Sequence, residues 1–206
     1  MNNAAPVSSV TKCLAILERK RGWGKLMSLI DKGYARRYRR QKSDASAIVK
    51  KKYENRTGVI MIVCKGNVCR SAFLAEYLRS RANPRDGFTF ISTGIRTSDG
   101  SASPLPALRC AAEHGIDLSY HRGARITREE IDRADLIVGM EPIHYIEFML
   151  RYFKWRKKFL LLRALEVLPP SLIVPDPFDK DEDNFRSCFD LLARDGKLLL
   201  SALEAA

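Results

Sequence analysis

From residue 58 onward, short apolar runs alternate with segments of helical spacing, and this alternation restricts the chain to one class of fold. GVIMIVC (58–64) is a continuous apolar run too short for a core helix, as expected of a strand buried on both faces. FTFIST (88–93), closed by Gly94, reads as a second strand, ADLIVGM (134–140) as a third and KKFLLLRAL (157–165) as a fourth. Between the first two lies SAFLAEYLRSRA (71–82), which places Phe73, Leu74, Tyr77 and Leu78 at helical spacing and stops near Asn83-Pro84. PLPALRCAAEHG (104–115) has proline near its start and glycine at its end, and ITREEIDRA (126–134) opens on a threonine cap with acids in its first turn. EPIHYIEFMLRYF (141–153) and NFRSCFDLLARDGKLLLSAL (184–203) complete the helices. The expectation is an α/β fold with a doubly wound parallel sheet and helices on both faces. Such sheets bind ligands outside the carboxyl ends of their strands, at a topological switch point. Cys64 stands at one of those ends.

Charge divides the chain in two. Residues 1–57 hold 15 Lys/Arg against 4 Asp/Glu, a net +11, whereas residues 58–206 hold 21 against 20, a net +1. The basic character belongs to an N-terminal extension, 1–57, preceding a near-neutral domain, 58–206, so a general nucleic-acid affinity is not expected of that domain. Within the extension, Leu26, Ile30, Tyr34 and Tyr38 recur every four residues, while Gly22, Gly24 and Gly33 weaken any helix there. The segment reads either as a solvated, partly helical or flexible arm, or as a basic amphipathic helix for an acidic partner or an anionic membrane surface. Residues 43–57 read as a linker or a short helix.

The five cysteines, Cys13, Cys64, Cys69, Cys110 and Cys188, are odd in number and irregularly spaced, unlike a disulfide framework. Three scattered histidines, His114, His121 and His144, give no zinc-site spacing. No apolar run suffices to cross a bilayer, and no secretory signal pattern opens the chain. Free thiols under these conditions fit a reducing cytoplasm.

Three Cys-x5-Arg stretches occur, at 13–19, 64–70 and 188–194. The first and third have helical, leucine-bearing interiors whose amides are already hydrogen-bonded. CKGNVCR (64–70) instead follows a strand and leads into a helix. Loop amides at Lys65, Gly66, Asn67, Val68 and Cys69, with the unpaired first-turn amides of the helix, can form an anion nest. Gly66 permits unusual backbone angles, and Asn67 tolerates a left-handed conformation and can bond across the loop. Arg70 offers a planar fork for two phosphate oxygens. The same positive field is expected to lower the pKa of the Cys64 thiol, with Ser71 donating its hydroxyl to the sulfur. A thiolate attacking phosphorus needs a proton donor for the leaving oxygen. Asp176, bracketed by prolines in LIVPDPFDKDEDNF (172–185), is the candidate.

Residues 58–206 resemble the low-molecular-weight protein tyrosine phosphatases. The resemblance rests on VCKGNVCRSA (63–72), ISTG (91–94), AAEHGIDLSYHRGARIT (111–127), ADLIVGM (134–140), and DPF with its following helix (176–189). It implies a flavodoxin-like four-stranded parallel sheet and hydrolysis of phosphotyrosine through a phosphocysteine on Cys64. Arg70 and the loop amides would hold the equatorial oxygens, and Asp176 would act as general acid and then base. Asn67, Ser71, Ser92 and His121 match the family's loop-supporting hydrogen-bond network. Cys69 matches a second loop cysteine able to pair reversibly with the nucleophile, and no metal or other cofactor is implied. Ala72 replaces a frequent proline. IRTSDGSA (95–102) lacks an aromatic that often lines the pocket, and Phe178 is followed by Asp179 rather than a second aromatic. Similar lips occur in bacterial members that act on autophosphorylated tyrosine kinases.

Two rival functions compete with this reading. Arsenate reduction on the same loop needs relay thiols in a mobile segment, but Cys110 and Cys188 lie in expected helices. A binding module with a phosphate pocket, targeted by the basic arm, would not require nucleophile, arginine and acid together.

Overall fold

A computed structural model describes residues 57–166 and 171–204. The expectations for the basic extension and the linker therefore lie outside the described residues. Four strands, β1 (Thr57–Cys64), β2 (Gly87–Gly94), β3 (Leu136–Gly139) and β4 (Phe159–Leu161), form one parallel sheet in the order β2-β1-β3-β4. The connecting helices are α1 (Arg70–Arg81), α2 (Leu105–Glu113), α3 (Arg128–Arg133), α4 (Pro142–Tyr152) and the terminal α5 (Glu182–Glu204). The chain steps from β1 to β2 in one direction and from β2 to β3 in the other, placing the switch point between β1 and β3. Right-handed crossovers then put α1 and α4 on opposite faces of the sheet.

Strand β1 sits centrally, and Ile60, Met61, Ile62 and Val63 are fully buried, which explains a run with no polar alternation. Its register aligns Cys64 with Gly94 of β2 and Val63 with Gly139 of β3. At the opposite end, Asp135 locks β3 to β1, its Oδ2 accepting the Val59 amide at 2.9 Å. Helix α1 is fixed to α5 by Phe73, whose ring stacks on Phe189 with centroids 4.2 Å apart. Helix α3 begins with a full capping box: Thr127 Oγ1 accepts the Glu130 amide, and Glu130 Oε2 accepts the Thr127 amide.

The fourth strand is shorter than its sequence indicates. Of 157–165 only Phe159–Leu161 pair with β3, flanked by 3₁₀ turns at Phe153–Lys158 and Leu162–Leu165. The chain leaves the ladder at the second 3₁₀ turn, where Arg163 is buried beside Asp195 of α5.

Candidate active site

The loop between β1 and α1 closes around the Cys64 sulfur. The Asn67 amide donates to Cys64 Sγ at 3.2 Å, and Ser71 Oγ lies 3.0 Å from the same sulfur. Proton directions follow from the partners. Asn67 Oδ1 accepts the Ala124 amide at 2.9 Å, so its Nδ2 faces Ser71 and donates to Ser71 Oγ at 2.9 Å. Ser71 Oγ accepts there with one lone pair, which leaves its proton available to the sulfur. Its alternative acceptor, the Thr93 carbonyl, is farther away at 3.5 Å.

Asn67 is the conformational hinge of the loop. Its φ is 52°, in the left-handed region, and it is fully buried. Its carbonyl accepts from His121 Nε2 at 2.6 Å; a carbonyl only accepts, so Nε2 carries the proton. Gly66, expected to supply the unusual angles, does not lie at positive φ, and a Cβ there would meet only Val68 Cγ2 at 3.6 Å. The strained position falls instead on Asn67, whose side chain is held at both ends. Close approach is required at Gly94, where a Cβ would lie 2.8 Å from Thr97 Cγ2 and 3.1 Å from Asn67 Cβ. Val68 and Cys69 turn inward into the core, whereas Lys65 is exposed. Ser92 is half-buried in β2, and no hydrogen bond joins it to the loop among the described residues.

Arg70 opens α1, a helix whose N-cap, Cys69, makes no side-chain capping bond. The first-turn amides therefore face the loop without a side-chain acceptor. The guanidinium is 1 % exposed and held by three acceptors: Glu141 Oε1 at 2.7 Å, the Val174 carbonyl at 3.0 Å and Asp176 Oδ2 at 2.7 Å. Burial opposes its charge, but Glu141 and Asp176 more than compensate and push its pKa upward. Its Nε has no protein acceptor.

Glu141 and His144 were not distinguished in the sequence. Glu141 sits just past β3, and Pro142 starts α4 immediately after it. His144 is buried, and burial together with the Arg70 and Arg96 cations pushes its pKa well below the usual range. The ring is thus neutral. Its Nδ1 accepts the Met140 amide at 3.3 Å, so Nε2 carries the proton and faces Glu141 Oε1 at 3.3 Å. The available signal was position: an acid at the carboxyl end of a strand bordering the switch point.

Asp176 reaches Arg70 from the loop preceding α5, and its Oδ1 accepts the Phe178 amide at 3.3 Å. Phe178 is 49 % exposed, and the following Asp179 has φ 61°. The structure brings together Cys64, Asn67, Arg70, Ser71, His121 and Asp176. The other thiols among the described residues are buried: burial raises the pKa of Cys69, and raises that of Cys188 in α5 to about 12. Cys110 faces the Glu182 carbonyl at 3.6 Å, within helix α2. Cys110, Glu113 and Glu182 form a cluster of potential metal ligands among the described residues, but Arg186 and Arg109 already pair with both carboxylates.

A family profile described as Low molecular weight phosphotyrosine protein phosphatase matches residues 59–206. The chain is 31% identical over 135 residues to a probable low molecular weight protein-tyrosine-phosphatase, EpsP, of Ralstonia nicotianae, covering 66% of this chain and 88% of that protein. It is 32% identical over 136 residues to the low molecular weight protein-tyrosine-phosphatase Etp of Escherichia coli, covering 66% and 87% respectively. Among solved structures, the YwlE arginine phosphatase from Geobacillus stearothermophilus superimposes with a TM-score of 0.66 at 26% identity, over 71% of this chain and 93% of that one.

Proposed function

Because the chain belongs to the low molecular weight phosphotyrosine protein phosphatase family and is a hydrolase of that class, we propose that it hydrolyses phosphotyrosine in proteins through a phosphocysteine on Cys64. The observation that carries this reading is the convergence on one sulfur of two donors, with a buried arginine clamped beside it by a carboxylate. The Asn67 amide and the Ser71 hydroxyl lie within hydrogen-bond reach of the sulfur and orient it for attack. An incoming phosphoryl group meets the loop amides and the unpaired Arg70 Nε, and its oxygens compete with Asp176 for the Arg70 fork. Displaced from Arg70, Asp176 turns to the leaving oxygen.

Attack by Cys64 forms the S–P bond as the P–O bond to the phenolic oxygen breaks. Asp176, carrying the proton, gives it to that oxygen. In the second step water attacks phosphorus, Asp176 takes its proton, and inorganic phosphate leaves with the thiolate restored. Glu141 holds Arg70, and His144 faces Glu141 in turn, so both are positioning residues. Phe178 offers an apolar wall for the phenyl ring.

The test is hydrolysis of phosphotyrosine, phosphoserine and phosphoarginine peptides by wild type and Cys64→Ser. Phosphotyrosine should be the preferred substrate, and the variant should bind phosphate without turnover. Preference for phosphoarginine, the substrate class in the name of the Geobacillus neighbour, would transfer the same chemistry to a P–N bond.

A further inference from the structure

The segment RYFKWRKK (151–158), from the end of α4 to the start of β4, has no part in the chemistry above, yet it exposes apolar side chains among cations. Residues 150–158 contain five cations and no acid. Leu150 and Phe153, three residues apart at the end of α4, are 53% and 58% exposed. Around them stand Lys154 and Lys157, both exposed, with Trp155 and Arg156 half-buried. Lys154, Arg156 and Lys157 form no ion pair among the described residues. The nearby acid, Asp132, accepts the Trp155 indole N–H at 2.6 Å, which fixes the indole against α3.

We propose that this patch docks the protein on an anionic phospholipid bilayer, with Leu150 and Phe153 entering the interface and the flanking cations meeting lipid phosphates. Exposed apolar side chains, an indole and the cations Lys154, Arg156 and Lys157, unpaired among the described residues, match the chemistry of the headgroup layer. The aromatic faces favour this partner over nucleic acid. Arg156 lies 4.2 Å over the Phe153 ring and Lys154 5.1 Å over that of Trp155, so a stacking base would have to displace a cation from each. No helix among the described residues is long and apolar enough to cross a membrane, so the contact is peripheral.

Topology supplies a second, independent argument. The turn at Phe153–Lys158 leads into the start of β4, and in a parallel sheet all strand starts share one end. Thr57, where the segment carrying a net +11 joins the fold, begins β1 at that same end. Cys64 lies at the opposite end. Docking by this face would put the junction at Thr57 on the same side as the patch and leave the loop that holds Cys64 open to water.

The test is co-sedimentation of the full chain with vesicles of equal parts phosphatidylglycerol and phosphatidylcholine, against phosphatidylcholine alone. Binding is expected to the first and not the second. Lys154→Ala/Lys157→Ala should weaken it roughly 30-fold, at about fivefold per cation. Leu150→Ser/Phe153→Ser should remove the part of the binding that survives raised salt. Both variants should retain turnover of a small aryl phosphate. In a Trp23→Phe background, Trp155 emission should shift to shorter wavelength on anionic vesicles. Variants that bind vesicles like wild type, or an unmoved Trp155 spectrum, would assign the attraction to residues 1–56 and overturn the proposal. So would patch-dependent binding to an oligonucleotide or an acidic peptide in place of vesicles.

Discussion

Arg70 carries more of the site's geometry than any other side chain, since its fork joins the start of α1 to the end of β3 and to the Asp176 loop. Arg70→Ala should therefore lower both phosphate affinity and turnover, the latter by 10²-fold or more on the order of magnitude seen when an oxyanion donor is lost. Asp176→Ala should slow hydrolysis by roughly 10²–10⁴-fold for poor leaving groups and far less for activated ones, because only the former need a proton in the transition state. An equal effect on all leaving groups in a series of aryl phosphates would move the acid elsewhere. Glu141→Ala strands one Arg70 N–H and the His144 Nε2 proton in a buried setting. Urea unfolding should show a loss of about 1.5–3 kcal/mol, the usual worth of a hydrogen bond to a charged group.

At the scale of elements, the junction of β3 with α4 sets a pH dependence. His144 is neutral in the fold because its pKa is held low, whereas in the unfolded chain it titrates near about 6.5. Below that pH the unfolded chain binds more protons, so His144 draws stability down as pH falls, by up to about 1.4 kcal/mol per unit. Urea midpoints taken between about pH 7 and about pH 5 should therefore fall less steeply for His144→Gln than for wild type. An unchanged slope would mean that His144 binds its proton equally in the folded and unfolded chain. This junction also marks where sequence reading stopped. Strands β1 to β3 and all five helices were legible, because burial on both faces leaves unbroken apolar runs and the caps sit at the helix ends. Cys64, Arg70 and Asn67 were legible for a related reason: their roles follow from neighbours within a few residues. Glu141 and His144 were not, since Glu141 meets Arg70 across 71 residues of chain, His144 acts only through Glu141, and only the sheet order brings them there. The length of β4 was overstated because buried apolar residues continue through the 3₁₀ turn that follows it, and an apolar run does not distinguish the two.

At the scale of the molecule, the described residues carry a hydrophobic core that runs from β1 to α5 beneath the candidate site. Deleting residues 1–56 should leave kcat/KM for a small aryl phosphate within about twofold, as expected of a domain with its own core. A large loss would place part of that segment in the active site. The account as a whole rests on covalent transfer to one sulfur at the switch point of the sheet. Acid quenching during turnover of a labelled aryl phosphate, followed by peptide mapping, tests that transfer directly. Label on Cys64, lost in Cys64→Ser together with turnover, is the predicted result; label on another residue, or turnover that persists in the variant, would contradict it.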